Sequence, residues 1–413
     1  MMKGVMSQAR AEGLSPGVSS TRPAKSRTGG RSGKARGSAE DEAWMYQALA
    51  LAEQGLGLVE PNPMVGCVLV KDGHELGRGH HEQFGGPHAE VQAMRDAARR
   101  GESVLGATAY VTLEPCSHHG KTPPCADALV DAQVARVVIA MVDPNPRVAG
   151  RGIERLREAG IEVAVGVCQD QAQQLNEPFA KRVTTGLPWV IAKWASTLDG
   201  KVATHTGHSK WISSPASRGL VHDIRARVDA VMVGVGTVLA DDPQLTARDV
   251  EIKRPARRVV IDPELRMPQQ SKLALGSEVG EPPVTIGICN EVYNGPSQRV
   301  QDYADHGISF MPLPRRENQY LEIEPLLRHL AEAHNATNVL VEGGAALIGS
   351  MLDQGMVDQV LAFVAPKLLG DERGTPAITG LLRDTIDDST MLKLRDVQRI
   401  EDDVLLDYLV KYD

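Results

Sequence analysis

No run in this sequence approaches the roughly eighteen consecutive apolar residues that a membrane-spanning helix needs, so no membrane span is expected. Cysteine is scarce and odd in number, with five in 413 residues (67, 116, 125, 168 and 289). That excludes a disulfide framework and fits a reducing cytoplasm. Positive charge is not in excess. A net charge of −8 gives no footing for a polyanionic partner, so nucleic acid is not expected. There is no Walker loop, and no Gly-x-Gly-x-x-Gly followed by an acid about twenty residues on, so neither a P-loop nor a Rossmann dinucleotide fold is supported.

Charge is unevenly spread. Residues 1–38 hold eight Lys/Arg against Glu12, are rich in Gly and Ser, and lack aromatics. Such a stretch cannot bury enough apolar area to fold and reads as a disordered basic arm. It lacks the apolar core of a secretory signal, and a dispensable extension is favoured over a transit peptide or a nucleic-acid tail. At 413 residues the remainder is long enough for two domains.

The chain is organised around Gly86-Pro87-His88-Ala89-Glu90, Glu114-Pro115-Cys116 and Pro123-Pro124-Cys125. One imidazole and two thiols suit Zn²⁺, and three ligands leave a position open for water. Water bound there loses its proton near neutral pH. Glu90, two residues after the histidine and outside the ligand set, is placed to relay that proton. This is the pattern of the zinc deaminases, with eight residues between the cysteines instead of the usual two. The alternative is a closed structural zinc site, with His118 or His119 as fourth ligand.

Helical spacing over Met45, Ala48, Leu49, Ala52 and Leu56 follows an acidic first turn at Ala39–Glu42. Val65–Val70 reads as a buried strand, Lys71-Asp72-Gly73 as a hairpin turn, and 88–100 as a helix with His88 and Glu90 at its start. A strand ends at Glu114-Pro115-Cys116, and a helix begins near Ala126. Both helix N-termini then favour thiolates at the metal. A strand at 136–142, a helix near 150–159, a short strand near 161–165 and one helix over 169–182 complete an α/β layered domain. The boundary falls at Thr185–Pro188, giving domains 39–186 and 187–413.

The second half offers strands at 189–193, 230–233, 258–261, 284–288, 338–341 and 358–364, with a helix over 215–227. Two glycine turns, Gly234-Val235-Gly236-Thr237 and Glu342-Gly343-Gly344-Ala345-Ala346, each join a strand to a helix. That arrangement lets backbone approach a pyrophosphate at a helix N-terminus. Arg225 and Arg248 supply cations for a phosphate.

With both halves in view, the sequence resembles the bifunctional riboflavin-biosynthesis deaminase/reductases of bacteria from about residue 40 to the end. The resemblance rests on Pro61-Asn62-Pro63, His88-Ala89-Glu90, Thr112 through Cys125, and Asp143-Pro144-Asn145-Pro146 with Gly150-Arg151-Gly152. In the second half it rests on Ser196 through Gly200, Ser209 through Ser213, and Thr237 through Pro243. The long inter-cysteine loop is what that family has.

The resemblance implies two α/β three-layer domains, the first cytidine-deaminase-like and the second dihydrofolate-reductase-like. It implies hydrolytic deamination of 2,5-diamino-6-(5-phosphoribosylamino)pyrimidin-4-one, then reduction of the ribosyl side chain to ribityl with NADPH. His88, Cys116 and Cys125 fall on the zinc ligands and Glu90 on the proton shuttle. Nicotinamide-nucleotide contacts fall on Ala195, Trp211, Thr237, Asp241 and the turn Gly344, Ala345, Ala346, Leu347, Ile348, Gly349 and Ser350. Substrate contacts fall on Ser209, Arg225, Leu245, Arg248 and Glu342. A small-molecule substrate and a homo-oligomer are expected.

Asn62 is a candidate substrate contact, as are His118, His119 and Lys121 for its phosphate. Lys193 or Asp199 is the candidate proton donor of the reductase half. Arg225 and Arg248 with Ser209 suit a phosphomonoester, since a guanidinium fork matches two oxygens. Two rival readings are weaker. A polynucleotide base deaminase needs a basic groove, and a zinc-stabilised binding module has no use for Glu90 or a nucleotide-binding second half.

Overall fold

The computed structural model describes residues 37–117, 123–146, 148–278, 281–296 and 298–412. Most of the basic arm, and with it the expectation made for it, lies outside the described residues, as do His118, His119 and Lys121. Among the described residues no helix is long and apolar enough to cross a membrane.

The first half runs α1 (Ala39–Ala52), β1 (Gly66–Lys71), β2 (His74–His80), α2 (Ala89–Arg99), β3 (Thr108–Val111), α3 (Cys125–Asp131), β4 (Arg136–Ile139), α4 (Arg151–Glu158), β5 (Glu162–Val165), α5 (Gln169–Leu175) and α6 (Glu177–Thr185). Its strands form one sheet in the order β2-β1-β3-β4-β5. The β1–β2 and β1–β3 pairs are antiparallel, and β3–β4 and β4–β5 are parallel. Asp72 and Gly73 turn the β1–β2 hairpin with φ of 51° and 74°, the left-handed pair that a two-residue hairpin requires. One face of the sheet packs Ala89, Ala93, Ala126, Leu129, Ile153 and Leu156 from α2, α3 and α4. The other packs Met45, Ala48 and Leu49 of α1 with Ala172 of α5. Helices on both faces make three layers.

Small residues decide how close α2 comes to the sheet. A Cβ at Gly77 would lie 2.5 Å from the Ala93 carbonyl oxygen, and one at Gly79 would lie 2.5 Å from the Ala93 nitrogen. Two glycines on β2 and alanines at 89, 93 and 97 therefore seat α2 almost backbone to backbone on the strand, which fixes where its first turn, carrying His88 and Glu90, emerges.

One helix was expected over 169–182; the chain forms two, broken at Asn176. The Asn176 side chain is spent on the backbone of Met64, accepting from its N–H at 2.8 Å and donating to its carbonyl at 2.9 Å. Pro178 then sits at the start of α6, where a missing N–H costs nothing.

The second half runs β6 (Trp189–Thr197), β7 (Lys201–Ala203), α7 (Pro215–Arg225), β8 (Ala230–Gly234), α8 (Val235–Asp241), β9 (Arg257–Ile261), α9 (Lys272–Glu278), β10 (Val284–Cys289), α10 (Asn290–Asn294), α11 (Gln298–Asp305), β11 (Ser309–Leu313), α12 (Glu324–His334), β12 (Asn338–Val341), α13 (Ala345–Asp353), β13 (Gln359–Ala365), β14 (Thr375–Pro376), β15 (Met391–Ile400) and β16 (Asp403–Lys411). Nine strands form a sheet in the order β11-β10-β9-β8-β12-β6-β13-β16-β15. The first seven in that order are parallel, and the hairpin β15–β16 joins β13 antiparallel at one edge. Both faces are covered, one by α12 and α13 and the other by α7, α8, α9 and α11, again giving three layers. The hydrophobic runs of β8, β9, β10 and β12 are continuous because these strands are buried on both sides.

Candidate active sites

His88 caps α2, Cys125 opens α3, and Cys116 follows the end of β3. Their donor atoms lie within 4.8 Å of one another, the one such group of three found among the described residues. His88 Nδ1 is 3.2 Å from Cys125 Sγ and 3.5 Å from Cys116 Sγ. A tetrahedral zinc with bonds of about 2.0–2.3 Å sets its donors about 3.5–3.8 Å apart, so the donor set fits in chemistry and spacing. The backbone N–H of Cys125, left without a partner at the start of α3, donates to Cys116 Sγ at 3.3 Å. The Cys125 thiol foremost, then the His88 ring and that N–H, draw the Cys116 thiol well below its usual range against the effect of burial. Cys125 is pushed up by its hydrogen bond with Cys116, by burial and by the charge of Glu90 beside it.

Glu90 is 3% exposed and lies outside the set of three. Burial, then the charge of Cys116, raise its carboxyl above the usual range. Asn62 and His81 stand behind the imidazole. The His81 and His88 rings meet edge to face with centroids 5.5 Å apart. Asn62 Nδ2 is 3.1 Å from His81 Nε2, and His81 Nδ1 is 3.1 Å from the carbonyl of Pro87. A carbonyl only accepts, so Nδ1 carries the proton and Nε2 takes one from Asn62. The Asn62 carbonyl oxygen is left for another partner.

Glu114, between β3 and Cys116, had no assigned role from the sequence. Its buried carboxylate accepts four backbone N–H groups: Asp143 at 3.1 Å, Gly150 at 3.0 Å, Gly152 at 2.9 Å and Ile153 at 3.3 Å. A Cβ at Gly152 would lie 2.0 Å from the Pro115 carbonyl oxygen. Glu114 thus ties the Asp143–Pro146 and Gly150–Gly152 segments to the peptide that carries Cys116. An acid flanked by Leu and Pro in front of a metal-ligand cysteine is the signal that could have found it.

In the second half a cavity of about 570 Å³ opens at the carboxyl ends of β6, β8 and β12, where open α/β sheets bind ligands. Its wall includes Ala195, Trp211, Thr237, Asp241, Gly344, Ala345 and Ile348 of the expected nucleotide contacts, and all five expected substrate contacts, Ser209, Arg225, Leu245, Arg248 and Glu342. The remaining residues of the turn do not reach it. Ala346 is exposed, and Leu347, Gly349 and Ser350 lie on the buried side of α13. One hydroxyl joins the two glycine turns: Thr237 Oγ accepts from Gly344 N–H at 3.0 Å. Ser209 donates to Asp241 at 3.2 Å and Lys210 pairs with it at 3.4 Å, which fastens the 207–213 segment to α8. Trp211, 63% exposed on the rim, lies under the Arg218 guanidinium at 4.4 Å.

Arg225 does not present an empty fork. Its Nε and one terminal nitrogen donate to the two Glu342 oxygens at 2.5 and 2.8 Å, and its other terminal nitrogen donates to the Thr246 carbonyl at 3.2 Å. Lys193 Nζ is 3.6 Å from Glu342. Burial alone would raise the Glu342 carboxyl; Arg225 and Lys193 outweigh it and hold the pKa at about 2. Burial lowers the Lys193 ammonium from its usual value. Asp199 is off the cavity wall. Its carboxylate accepts from Leu369 N–H at 3.0 Å and Gly370 N–H at 2.7 Å, and the Thr197 side chain foremost, with these two bonds, holds it well below the usual carboxylate range. His222 and Phe363 also line the cavity and were missed. His222 is three residues before Arg225 on one helix face, a spacing that could have disclosed it.

Residues 38–141 match the family model described as the cytidine and deoxycytidylate deaminase zinc-binding region, and residues 188–406 match the RibD C-terminal domain. The chain is similar to the riboflavin biosynthesis protein RibD of Escherichia coli K12, 41% identical over 370 residues, covering 89% of this chain and 98% of that protein. To the protein of the same name from Aquifex aeolicus it is 40% identical over 366 residues, covering 89% and 97%. Among solved structures it is similar to Acinetobacter baumannii RibD, with a TM-score of 0.77, 39% identity and coverage of 90% and 99%. A Thermotoga maritima structure, described as a diaminohydroxyphosphoribosylaminopyrimidine deaminase/5-amino-6-(5-phosphoribosylamino)uracil reductase, has a TM-score of 0.77 at 38% identity with the same coverage.

Proposed function

The chain belongs to the RibD family of riboflavin-biosynthesis enzymes, and from that premise we propose which of its residues carry each reaction. It is a bifunctional enzyme, a zinc-dependent deaminase joined to an NADPH-dependent reductase. The substrate is the diaminopyrimidinone ribosylamine phosphate, deaminated in the first half and reduced to the ribityl compound in the second.

In the first half His88, Cys116 and Cys125 hold the zinc, which when bound supplies a polarised water of lowered pKa. Glu90 moves protons. Its carboxylate takes one proton from the attacking water and passes it to the ring nitrogen, then takes the second from the hydroxyl of the adduct and passes it to the departing amine as the C–N bond breaks, so that ammonia leaves neutral. Burial keeps Glu90 from exchanging those protons with bulk solvent. Asn62, with one amide N–H held by His81, offers its carbonyl oxygen to a donor on the pyrimidine.

In the second half NADPH supplies the hydride. Ala195, Trp211, Thr237, Asp241, Gly344, Ala345 and Ile348 form its wall, and Ser209 with Arg248 faces the substrate phosphate. Arg225 serves Glu342, holding it charged against Lys193. Lys193, on the cavity wall, delivers the proton that accompanies the hydride; the backbone bonds of Asp199 leave it no such part. We place the enzyme in the cytoplasm, where its five unpaired thiols suit a reducing medium, and as a homo-oligomer, in keeping with the family resemblance.

The observation that carries the deaminase reading is a trio of metal-ligating atoms within 4.8 Å, with a buried carboxylate beside them and outside the set. Zinc analysis paired with ammonia release tests it. Glu90→Gln should keep about one zinc per chain and lose about 10²–10⁴-fold in turnover. Cys125→Ser should lose the zinc as well. A Glu90→Gln protein that deaminates at the native rate would refute the assignment.

A further inference from the structure

The loop from Gly57 to Met64 carries Asn62, and it is clamped on both sides. On one side, within its own half, Asn176 binds both backbone groups of Met64. The other clamp comes from the reductase half. Glu60 Oε2 lies 2.6 Å from a terminal nitrogen of Arg254. Both side chains are largely buried, at 8% and 21% exposed. The N–H is not aimed at that oxygen, which has no hydrogen-bond partner, so the attraction is Coulombic. The other Glu60 oxygen accepts from Gly57 N–H at 3.1 Å, so the carboxylate closes the loop on itself as well as onto Arg254.

Arg254 is in turn anchored to the large sheet. Its second terminal nitrogen donates to Asp229, beside the start of β8. The other Asp229 oxygen accepts from Thr337 and Asn338 N–H at 2.7 and 2.9 Å, where β12 begins. Neighbouring Lys253 adds a bond to the Leu56 carbonyl at 3.3 Å. Neither Glu60 nor Arg254 lines the reductase cavity. Two residues past Glu60, Asn62 meets His81, whose ring packs on that of His88.

We propose that Arg254 is a positioning residue of the deamination reaction, acting from the other half of the chain: its ion pair with Glu60 fixes the loop that presents Asn62 beside the zinc ligand His88. This rests on Asn62 being a substrate contact. Breaking a buried ion pair from one side leaves a charge uncompensated, and the loop must move to rehydrate it. A displacement on the order of 1 Å at a substrate-binding group is enough to cost up to about 100-fold.

The test uses the full zinc-loaded chain, with deamination followed by ammonia release and reduction followed by NADPH oxidation on the deaminated aminouracil. Glu60→Gln removes the cross-half pair and leaves Arg254 on Asp229, so the large sheet keeps its anchor. It should raise the deamination KM about tenfold or more, with kcat, zinc content and reduction within about twofold. Arg254→Met, which also frees Asp229, should raise the deamination KM at least as much, and Arg254→Lys should recover part of that loss. An unchanged deamination KM in Glu60→Gln, or a parallel fall of zinc content or of both activities, overturns the inference. Asn62→Ala separates the two claims. If it raises KM while Glu60→Gln does not, this inference alone fails; if it leaves KM unchanged, the substrate-contact reading fails and takes this inference with it.

Discussion

Lys193, Glu342 and Arg225 form a buried charge cluster whose members cannot be read one at a time. Glu342, held at about 2, stays ionised over the whole working range and contributes no acid limb to the reductase. Burial lowers the Lys193 ammonium from the usual value of 10.5. The proton it delivers is lost as pH rises through that lowered value. Reductase kcat/KM should fall on the alkaline side, with a midpoint below 10.5. Lys193→Met should abolish that limb and cost about 10²–10⁴-fold in kcat. A Lys193→Met profile with its alkaline limb intact would remove Lys193 from the proton step. The trio His88, Cys116 and Cys125 and the neighbouring Glu90 were legible because each motif is local: one residue separates His88 from Glu90, and prolines mark both cysteines. The charge cluster was not, because Arg225 and Glu342 are 117 positions apart and only the sheet brings them together. The Glu342 partner of Arg225 stayed hidden for the same reason.

At the scale of elements, α1 shows how a helix is bound to a sheet by more than its apolar face. Ser38 and Asp41 cap each other's backbone N–H groups in a capping box. The same Asp41 carboxylate accepts from Arg136 of β4 at 2.7 and 3.1 Å and from the Tyr110 hydroxyl of β3 at 3.1 Å. These bonds, those of Arg136 foremost, depress its pKa from 3.8 to about 2. A depressed carboxyl stabilises the fold above its unfolded value and loses that contribution as pH falls through its folded value. At about 1.4 kcal/mol per pKa unit, and discounted because Arg136 is a quarter exposed, the contribution is about 1–2 kcal/mol. Asp41→Asn should cost that much at pH 7, and its deficit should close toward pH 2, measured by urea midpoints across pH. An equal deficit at both ends would mean the cost lies in packing and not in charge. Elements with a buried face were legible from period and run length, as with β1 and α2. The β15–β16 hairpin was not, because β15 is largely exposed and takes its place from pairing with β16, itself held by β13. The break at Asn176 was hidden too, since its partner Met64 is 112 residues away.

At the scale of the molecule, one chain carries two three-layer sheets whose halves grip each other through charge. Lys181 pairs with Asp358 at 2.5 Å, Arg395 pairs with Glu177, and Arg254 joins Glu60 to Asp229. Lys181, Glu177 and Glu60 lie in the first half and Asp358, Arg395 and Arg254 in the second, which is why none of these pairs announced itself in the sequence. The central claim is that deamination and reduction are done by different residues on different sheets, and that the first supplies the second. The most direct measurement follows NADPH oxidation by the Glu90→Gln chain on two substrates, the diaminopyrimidinone ribosylamine phosphate and its deaminated aminouracil. Near silence on the first and the native rate on the second are expected. Loss of oxidation on both, or native rates on both, would contradict the claim.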